Sequence, residues 1–359
     1  MGWVIGLIIV GVCAVVIGFL VIPSSIRQSD RRRESRRGKR EPRSITDGKK
    51  KEGACSLDGT PLYVDYLGDS DPTILFVHGI LSNGQVFRYQ KPFFAEKYRV
   101  VSLDLRGHGR SSLPRRGDFC IDRMAEDIKA VIDAFNPKQF IVAGHSMGGF
   151  ATFKFYEKFS KEYEGRLKGL AILDSTGADT TDFSLRWKFG ALYLKYLLDN
   201  SITELLKKRF ANSGFMYLYG RWLAFGKKAP ASEVDFLNGI GSEIPIKTMK
   251  GAAKACLDHR FEYCLPSVDV PVMMLVGSED SLMAKDRLNS RTCALLPDAR
   301  LKVIEGAGHN AMLELPDEVN QSLDAFFMER FGGGRAFAGE DAPAPGANRS
   351  QDQLVPEAP

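Results

Sequence analysis

A serine inside the hexapeptide Gly-His-Ser-Met-Gly-Gly, residues 144–149, is the strongest candidate for chemistry in the sequence. The motif follows a strand-like apolar run and directly precedes a helical pattern. Small residues on both sides of a serine permit the tight strand-to-helix turn that projects its hydroxyl at a sheet edge. A chance Gly-x-Ser-x-Gly in a loop is the alternative, but it would lack this context. The sequence therefore predicts Ser146 as a nucleophile.

A serine nucleophile needs a general base, and the base needs a carboxylate that orients it. Asp280 stands just past the apolar run 270–276, and His309 stands just past the run 300–304. In open α/β sheets, side chains that follow the carboxyl ends of strands line the ligand site. We therefore expect His309 to be the base and Asp280 to orient it. A loop histidine that packs on a neighbour is the alternative for His309.

The identity of the acid leaves two alternatives open. Glu279 is adjacent to Asp280, and Asp174 follows another predicted strand. We favour Asp280, because acid and base then come from the ends of successive strands.

Two backbone N–H groups are expected to hold the oxyanion that forms when a hydroxyl attacks a carbonyl. One belongs to Met147, at the start of the helix after the nucleophile. The other lies in the loop after the run 73–77, where Ile80 is the candidate and Leu81 the second choice. Gly79 lets this backbone approach a substrate, and His78 is expected to be a hydrogen-bonding brace.

Strands and helices must alternate along the chain to position these residues. Helical spacing covers 123–135, 149–159 and 317–331. Near-continuous apolar runs, typical of strands with both faces covered, predict a mostly parallel sheet with helices on both faces, an α/β fold. The predicted strands are 62–66, 73–77, 99–103, 139–143, 167–173, 270–276 and 300–304. The loop at 104–111 is expected to be held by pairing among its own charges, without a catalytic role.

An aromatic-rich segment, 177–262, interrupts this alternation. It has helical patterns at 184–198, 202–210 and 242–257 but no clear strand. The sequence therefore predicts a helical insertion between two parts of one core, 57–176 and 263–332. The remaining residues, 333–359, have a Gly-, Ala- and Pro-rich composition and are expected to be disordered.

The charge of the chain is concentrated in one block. The chain has 359 residues, 44% of them hydrophobic and 26% charged, which excludes a fully disordered or polytopic membrane protein. Its net charge is +5, but twelve basic and four acidic residues between Arg27 and Lys51 give that block +8 and leave −3 for the rest. A nucleic-acid-binding core is therefore not expected.

The basic block follows an uninterrupted apolar run of 20 residues, 3–22. A helix of this length crosses the roughly 30 Å hydrocarbon layer of a membrane. We interpret 1–26 as a retained single-pass anchor and 27–56 as a basic, flexible linker, both in contact with membrane lipids. A cleaved signal peptide is the alternative, but no Lys or Arg precedes the run and no small-x-small site follows it. Because the basic flank tends to stay cytoplasmic, we expect the catalytic domain in the cytoplasm.

Together these features resemble the α/β-hydrolase superfamily over roughly residues 57–331. Two groups within it are most similar: membrane-anchored monoacylglycerol-lipase-like hydrolases and the carbon–carbon bond hydrolases of aromatic degradation. Epoxide hydrolases and haloalkane dehalogenases share the loops but use an aspartate nucleophile, so Ser146 argues against both. The resemblance implies that the insertion 177–262 is a cap over the active site. The matching features are His78-Gly79, Asp104-x-Arg106-Gly107-x-Gly109, Gly-His-Ser-Met-Gly, Gly-x-x-Asp280 and Gly308-His309.

We therefore expect a membrane-anchored serine hydrolase that cleaves carboxylic esters of small, apolar, lipid-like substrates through an acyl-enzyme on Ser146. A carbon–carbon bond hydrolase, a thioesterase or an acyltransferase would use the same three residues. A non-catalytic, membrane-tethered binding protein on a hydrolase fold is a further alternative, disfavoured because all three residues are present. The five histidines are far apart and there is no Cys-x-x-Cys, so neither a metal nor another cofactor is expected.

Overall fold

An eight-stranded β-sheet organises the computed structural model of the chain, which describes residues 22–37, 49–50, 54–179, 201–211, 213–283 and 285–332. The strands are β1 (Lys49–Lys50), β2 (Tyr63–Leu67), β3 (Thr73–Val77), β4 (Arg99–Asp104), β5 (Phe140–His145), β6 (Leu167–Leu173), β7 (Val272–Gly277) and β8 (Ala299–Ile304). Their order is β1-β2-β4-β3-β5-β6-β7-β8. β2 pairs antiparallel with β1 and with β4, and the other pairs are parallel.

The predicted α/β fold with a mostly parallel sheet is confirmed. All seven strands predicted from the apolar runs are present, with ends that shift by at most two residues. The two-residue strand β1 was not predicted, because two lysines at a sheet edge carry no apolar pattern. The described helices are α1 (Ile22–Arg37), α2 (Gln90–Phe94), α3 (Ile121–Phe135), α4 (Met147–Phe159), α5 (Ser201–Ala211), α6 (Gly214–Ala224), α7 (Ala231–Glu243), α8 (Ile246–Asp258), α9 (Lys285–Leu295), α10 (Ala311–Glu314) and α11 (Pro316–Arg330).

Alternating side chains of the central strands enter two separate cores. Leu75 and Val77 of β3 pack into a core with α3 and α4, whereas Ile74 and Phe76 pack into a core with α2 and α11. Successive side chains of a strand point to opposite faces of the sheet. Burial of both faces therefore explains why these strands read as continuous apolar runs.

The insertion between β6 and β7 contributes α5 to α8, and its described residues form no strand. The predicted helix 202–210 is present as α5, and the predicted helix 184–198 lies outside the described residues. The predicted helix 242–257 is present as α8, but it begins at Ile246 instead of Ser242. Pro245 separates α7 from α8, because proline has no N–H to continue a helix. Helix α6 was not predicted; Ser213 caps its start by accepting a hydrogen bond from the N–H of Met216 at 3.2 Å.

Helix α1 corrects the prediction of a flexible linker from residue 27. Arg27 and Arg31, one helical turn apart, both pair with Asp235 of α7, at 2.7 and 2.6 Å. Asp30 accepts a hydrogen bond from the Tyr217 hydroxyl of α6 at 2.8 Å. A charged segment without an apolar face takes helical form here because its partners lie on the insertion, where no local pattern reveals them.

The proposed membrane-spanning run and the predicted disordered tail, 333–359, fall outside the described residues, apart from Ile22 at the start of α1. Across the described part of the chain, no helix combines the length and the apolarity needed to cross a membrane.

Candidate active site

Ser146 occupies the sharp turn between β5 and α4. Its backbone φ is +52°, a value that is uncommon and strained for a residue other than glycine. A Cβ atom on Gly144 would collide with the carbonyl of Gly148, and one on Gly148 would collide with the carbonyl of Val77. Gly144 and Gly148 are therefore required by the close approach of α4 to β3 and β5.

The structure brings the predicted nucleophile, base and acid into one hydrogen-bonded row. Nε2 of His309 lies 2.9 Å from Oγ of Ser146, and Nδ1 of His309 lies 2.8 Å from Oδ2 of Asp280. All three side chains are buried. They stand just past the carboxyl ends of β5, β7 and β8, and the parallel strands deliver them to the same edge of the sheet. This is the geometry that nucleophilic attack by a serine hydroxyl requires.

The geometry distinguishes Asp280 from the two alternative acids. Oδ1 of Asp280 accepts the N–H groups of Leu282 and Met283 at 2.8 and 3.2 Å, which leaves Oδ2 for His309. Glu279 instead accepts the N–H of Lys227, in the insertion, at 2.6 Å. Asp174 is nearby, but its two carboxyl oxygens accept the backbone N–H groups of Gly277 and Ala311.

The carboxylates around His309 set its charge state. Burial lowers the pKa of His309, but the neighbouring Asp280 carboxylate and its hydrogen bond outweigh burial, so that the pKa is raised above its usual value. Burial and the Asp280 charge together raise the pKa of Asp174 to about 8. A carboxylate on Nδ1 leaves Nε2 as the proton acceptor toward Ser146.

The two predicted oxyanion donors belong to segments that adjoin Ser146. Met147 is the first residue of α4, where backbone N–H groups have no intrahelical acceptor. The loop that holds Ile80 passes directly over the turn, since a Cβ atom on Gly79 would lie 2.9 Å from Cβ of Ser146. Leu81, the second choice, has a φ of +56°. The backbone of this loop is thus held close to the nucleophile.

His78 braces the same loop, as the sequence suggested. Its Nδ1 donates to the carbonyl of Gly79 at 2.7 Å, and its Nε2 accepts the N–H of Leu105 at 2.9 Å. Burial lowers the pKa of His78 well below its usual range. A neutral ring with one donor and one acceptor satisfies both contacts.

The prediction that the loop at 104–111 pairs its own charges is wrong for Arg106. The guanidinium is fully buried and forms two hydrogen bonds with Asp127 of α3, at 2.6 and 2.9 Å. It also pairs with Asp58 at 2.9 Å. Asp104 holds the loop by accepting the N–H groups of Gly84 and Arg110 at 2.8 and 2.9 Å.

Sequence reasoning missed two side chains that touch the histidine loop. Nε2 of His145 lies 2.8 Å from the carbonyl oxygen of His309. Burial, followed by the charge of His309, lowers the pKa of His145 to about 3, so its ring stays neutral and donates through Nε2. The buried Glu314 accepts the N–H of Gly308 at 2.9 Å. The sequence holds no local signal for either contact, because each joins segments brought together only by the fold.

A mostly parallel sheet with a strained serine turn after its central strand, and a histidine and an aspartate after later strands, defines the α/β-hydrolase class. A profile of the α/β-hydrolase fold family matches residues 72–316, and the chain belongs to this family. A curated relative, the AB hydrolase superfamily protein YisY of Bacillus subtilis, is 29% identical over 272 residues, which cover 74% of this chain and 94% of that protein. Alignments with other curated relatives cover as little as 56% of their length.

Solved structures share the fold. A thermophilic esterase from Thermogutta terrifontis has a TM-score of 0.64 and 20% identity, over 78% of this chain and 98% of its own. A membrane phospholipase A, described as a bacterial virulence factor, has a TM-score of 0.60 and 21% identity, over 92% of this chain and 98% of its own.

Proposed function

We propose that this chain is a serine hydrolase that cleaves carboxylic esters of apolar, lipid-like molecules. The observation that carries the proposal is the buried row Ser146–His309–Asp280, with donor–acceptor distances of 2.9 and 2.8 Å. A serine with a base in contact, and a carboxylate in contact with that base, is the arrangement that activates a hydroxyl for acyl transfer.

The proposed reaction forms an acyl-enzyme. Oγ of Ser146 attacks the ester carbonyl while Nε2 of His309 takes the hydroxyl proton, and Asp280 holds the imidazolium that results. The N–H groups of Met147 and Ile80 stabilise the oxyanion. Collapse of the tetrahedral intermediate breaks the ester C–O bond, and the leaving alcohol receives the proton from His309. Water, deprotonated by the same histidine, then attacks the acyl carbonyl and releases the carboxylic acid.

The insertion supports an apolar substrate. Its helices α5 and α6 expose large hydrophobic side chains, including Ile202, Leu205, Phe215 and Trp222. Apolar surface of this kind is typical of contacts with lipid or with an apolar ligand. The structural similarity to a membrane phospholipase A, and to an esterase, agrees with a lipid ester as the substrate.

We also propose that residues 1–26 anchor the chain in a membrane and that the catalytic domain lies in the cytoplasm. The apolar run 3–22 is long enough to span a bilayer, and the basic flank follows it. Helix α1, which continues this run, packs on α6 and α7. In this proposal α1 joins the membrane anchor to the cap.

Ser146→Ala tests the proposed nucleophile. The full chain is assayed with p-nitrophenyl esters of graded acyl length and labelled with a fluorophosphonate probe. We expect the variant to lose turnover and labelling, while Ser322→Ala, a control on α11, keeps both. Rates of the wild-type chain should rise with acyl length before the substrate becomes insoluble. Labelling of the Ser146→Ala variant, or turnover of epoxides in place of esters, would overturn the proposal.

Two further measurements test whether water is the acyl acceptor and on which side of the membrane the catalytic domain lies. Product analysis with an added alcohol or thiol acceptor should give the free acid as the main product; a transferred acyl group would establish an acyltransferase instead. A reporter fused after Phe331 should be accessible from the cytoplasmic side. Access only from the outer or lumenal side would reverse the topology.

A further inference from the structure

The loop that carries His309 is held on both sides by buried carboxyl groups. Before the histidine, the N–H of Gly308 donates to Oε1 of Glu314 at 2.9 Å. After it, the N–H of Ala311 donates to Oδ2 of Asp174 at 3.1 Å. The peptide groups that fix the position of the imidazole are therefore bonded to two side chains outside the row Ser146–His309–Asp280.

The second oxygen of each carboxyl group reaches another part of the molecule. Oδ1 of Asp174 accepts the N–H of Gly277 at 2.8 Å, where β7 ends and the chain turns toward Asp280. Asp174 thus connects the loop that carries His309 to the loop that carries Asp280. A buried N–H group that loses its acceptor destabilises the fold, so each of these hydrogen bonds helps to fix the two loops.

Glu314 ties the histidine loop to the insertion. Its Oε2 accepts the N–H of Gly226, which lies between α6 and α7, at 2.9 Å. The neighbouring Asn310 donates through Nδ2 to the carbonyl of Ala224 at 2.9 Å. A displacement of the segment between α6 and α7 would therefore strain these two hydrogen bonds and move the residues next to His309.

Both carboxyl groups occupy costly positions. Asp174 and Glu314 are 1% and 5% exposed, and Asp174 also has a φ of +44°, which strains a non-glycine residue. Burial, with a smaller contribution from Asp280, raises the pKa of Asp174 to about 8 and that of Glu314 to about 7. Buried carboxyl groups are destabilising unless hydrogen bonds compensate, and all four oxygen atoms here accept backbone N–H groups.

We propose that Asp174 and Glu314 are positioning residues that hold His309 in line between Ser146 and Asp280, and that Glu314 makes this alignment depend on the cap. The inference rests on the proposed function, since it assigns His309 the role of base. Neither residue touches the reacting atoms; both act through the backbone of the histidine loop.

The pKa of His309 depends on the groups around its ring, so a change in that pKa can reveal a change in these hydrogen bonds. Asp280 bonds to Nδ1, and Asp174, directly after β6, and Glu314 of α10 raise the pKa of His309 further when they are ionised. His145 faces it from β5, with ring centroids 5.1 Å apart, and stays neutral. A longer contact between His309 and Asp280 should therefore lower the pKa of His309.

Asp174→Asn and Glu314→Gln test the proposal in the full chain. Each amide keeps the size of the acid but places an NH2 group against one backbone N–H, which breaks one of the two ties. We expect kcat to fall roughly tenfold to 100-fold, part of the ~10²–10⁴ that positioned proton transfer contributes, with little change in KM. The acid limb of the pH–rate profile should move to lower pH. Asp324→Asn, a carboxylate-to-amide control on α11, should leave kcat, KM and the profile unchanged.

A second readout is independent of turnover. The Nδ1–H proton of His309, bonded to Asp280, should give a downfield proton NMR resonance that His309→Gln abolishes. We expect Asp174→Asn and Glu314→Gln to shift or broaden it, with thermal unfolding used to confirm that both variants are folded. If the wild-type chain shows the resonance but hydrolyses no ester, the proposed function fails while the positioning role is still tested. Folded variants with the wild-type resonance, kcat and pH profile would overturn the inference.

Discussion

Nε2 of His309 lies 2.9 Å from Oγ of Ser146, although 163 positions separate the two residues along the chain. Their strands, β5 and β8, are not neighbours; β6 and β7 lie between them in the sheet. The contact exists because parallel strands end at one edge and because the loop after β8 returns across two strands to reach the serine. The reactivity of Ser146 thus depends on how firmly that loop is held.

The first prediction concerns pH. His309 must be neutral to accept the proton of Ser146, so activity is lost as pH falls through its pKa. Because Asp280 raises that pKa, kcat/KM should fall on the acid side with a midpoint above the usual histidine value of about 6.5. Asp280→Asn should move this midpoint to lower pH and reduce kcat by up to about 10⁴. A midpoint that Asp280→Asn leaves unchanged would mean that the acid limb reports another group.

The second prediction concerns the loop over the nucleophile. In Gly79→Ala the new Cβ would lie 2.9 Å from Cβ of Ser146 and 3.0 Å from Nδ1 of His145, closer than the ~3.5–4.0 Å of a normal carbon contact. The loop must shift, and the N–H of Ile80 shifts with it. Since one oxyanion donor is worth about 10²–10³ in kcat, we expect a loss that approaches 10²-fold with KM nearly unchanged. Steady-state kinetics measure both constants.

Gly239→Ala is the matched control for this loop variant. Gly239 lies on α7, and a Cβ atom there has no neighbour within 4 Å. The substitution should leave kcat unchanged and raise stability by up to about 1 kcal/mol, the difference between glycine and alanine in a helix. Equal kcat values for the two variants would argue against Ile80 as a donor.

Much of the fold and of the site could be predicted because the relevant signals are local. Runs such as Thr73–Val77 are apolar at every position, so the strands are visible in the sequence, and the turn at Ser146 demands glycines on both sides. Contacts between residues far apart in the chain have no such local signal in the sequence. Helix α1 depends on Asp235, some 200 positions away. Asp174 was considered only as an alternative acid, because its hydrogen bonds to the end of β7 and to the loop after β8 form only in the folded chain.

The third prediction concerns the buried ion pair of the loop after β4. Asp127→Ala leaves the fully buried guanidinium of Arg106 without the carboxylate that binds it twice. We expect a loss of about 3–5 kcal/mol in the free energy of unfolding, as is typical when one partner of a buried pair is removed. Asp324→Ala, which breaks an exposed pair with Lys97, should cost at most about 1 kcal/mol. Urea unfolding of both variants measures the two values, and similar losses would contradict the structural role assigned to Arg106.

The last prediction concerns the attachment of α1 to the insertion between β6 and β7. Asp235→Ala removes the carboxylate that Arg27 and Arg31 share. The fraction of molecules in which α1 is detached from α7 should therefore increase. A loss of about 1 kcal/mol raises the detached population about fivefold, and trypsin should cleave after Arg31 faster by a similar factor. Asp258→Ala is the control, because Asp258 pairs with Lys254, one turn away on the same helix, α8. Raising the salt concentration should speed cleavage of the wild-type chain and of the control, but have a smaller effect on Asp235→Ala, which has lost two ion pairs and keeps the pair between Asp30 and Arg221. Equal cleavage rates in Asp235→Ala and wild type would show that contacts other than these ion pairs hold α1 on the insertion.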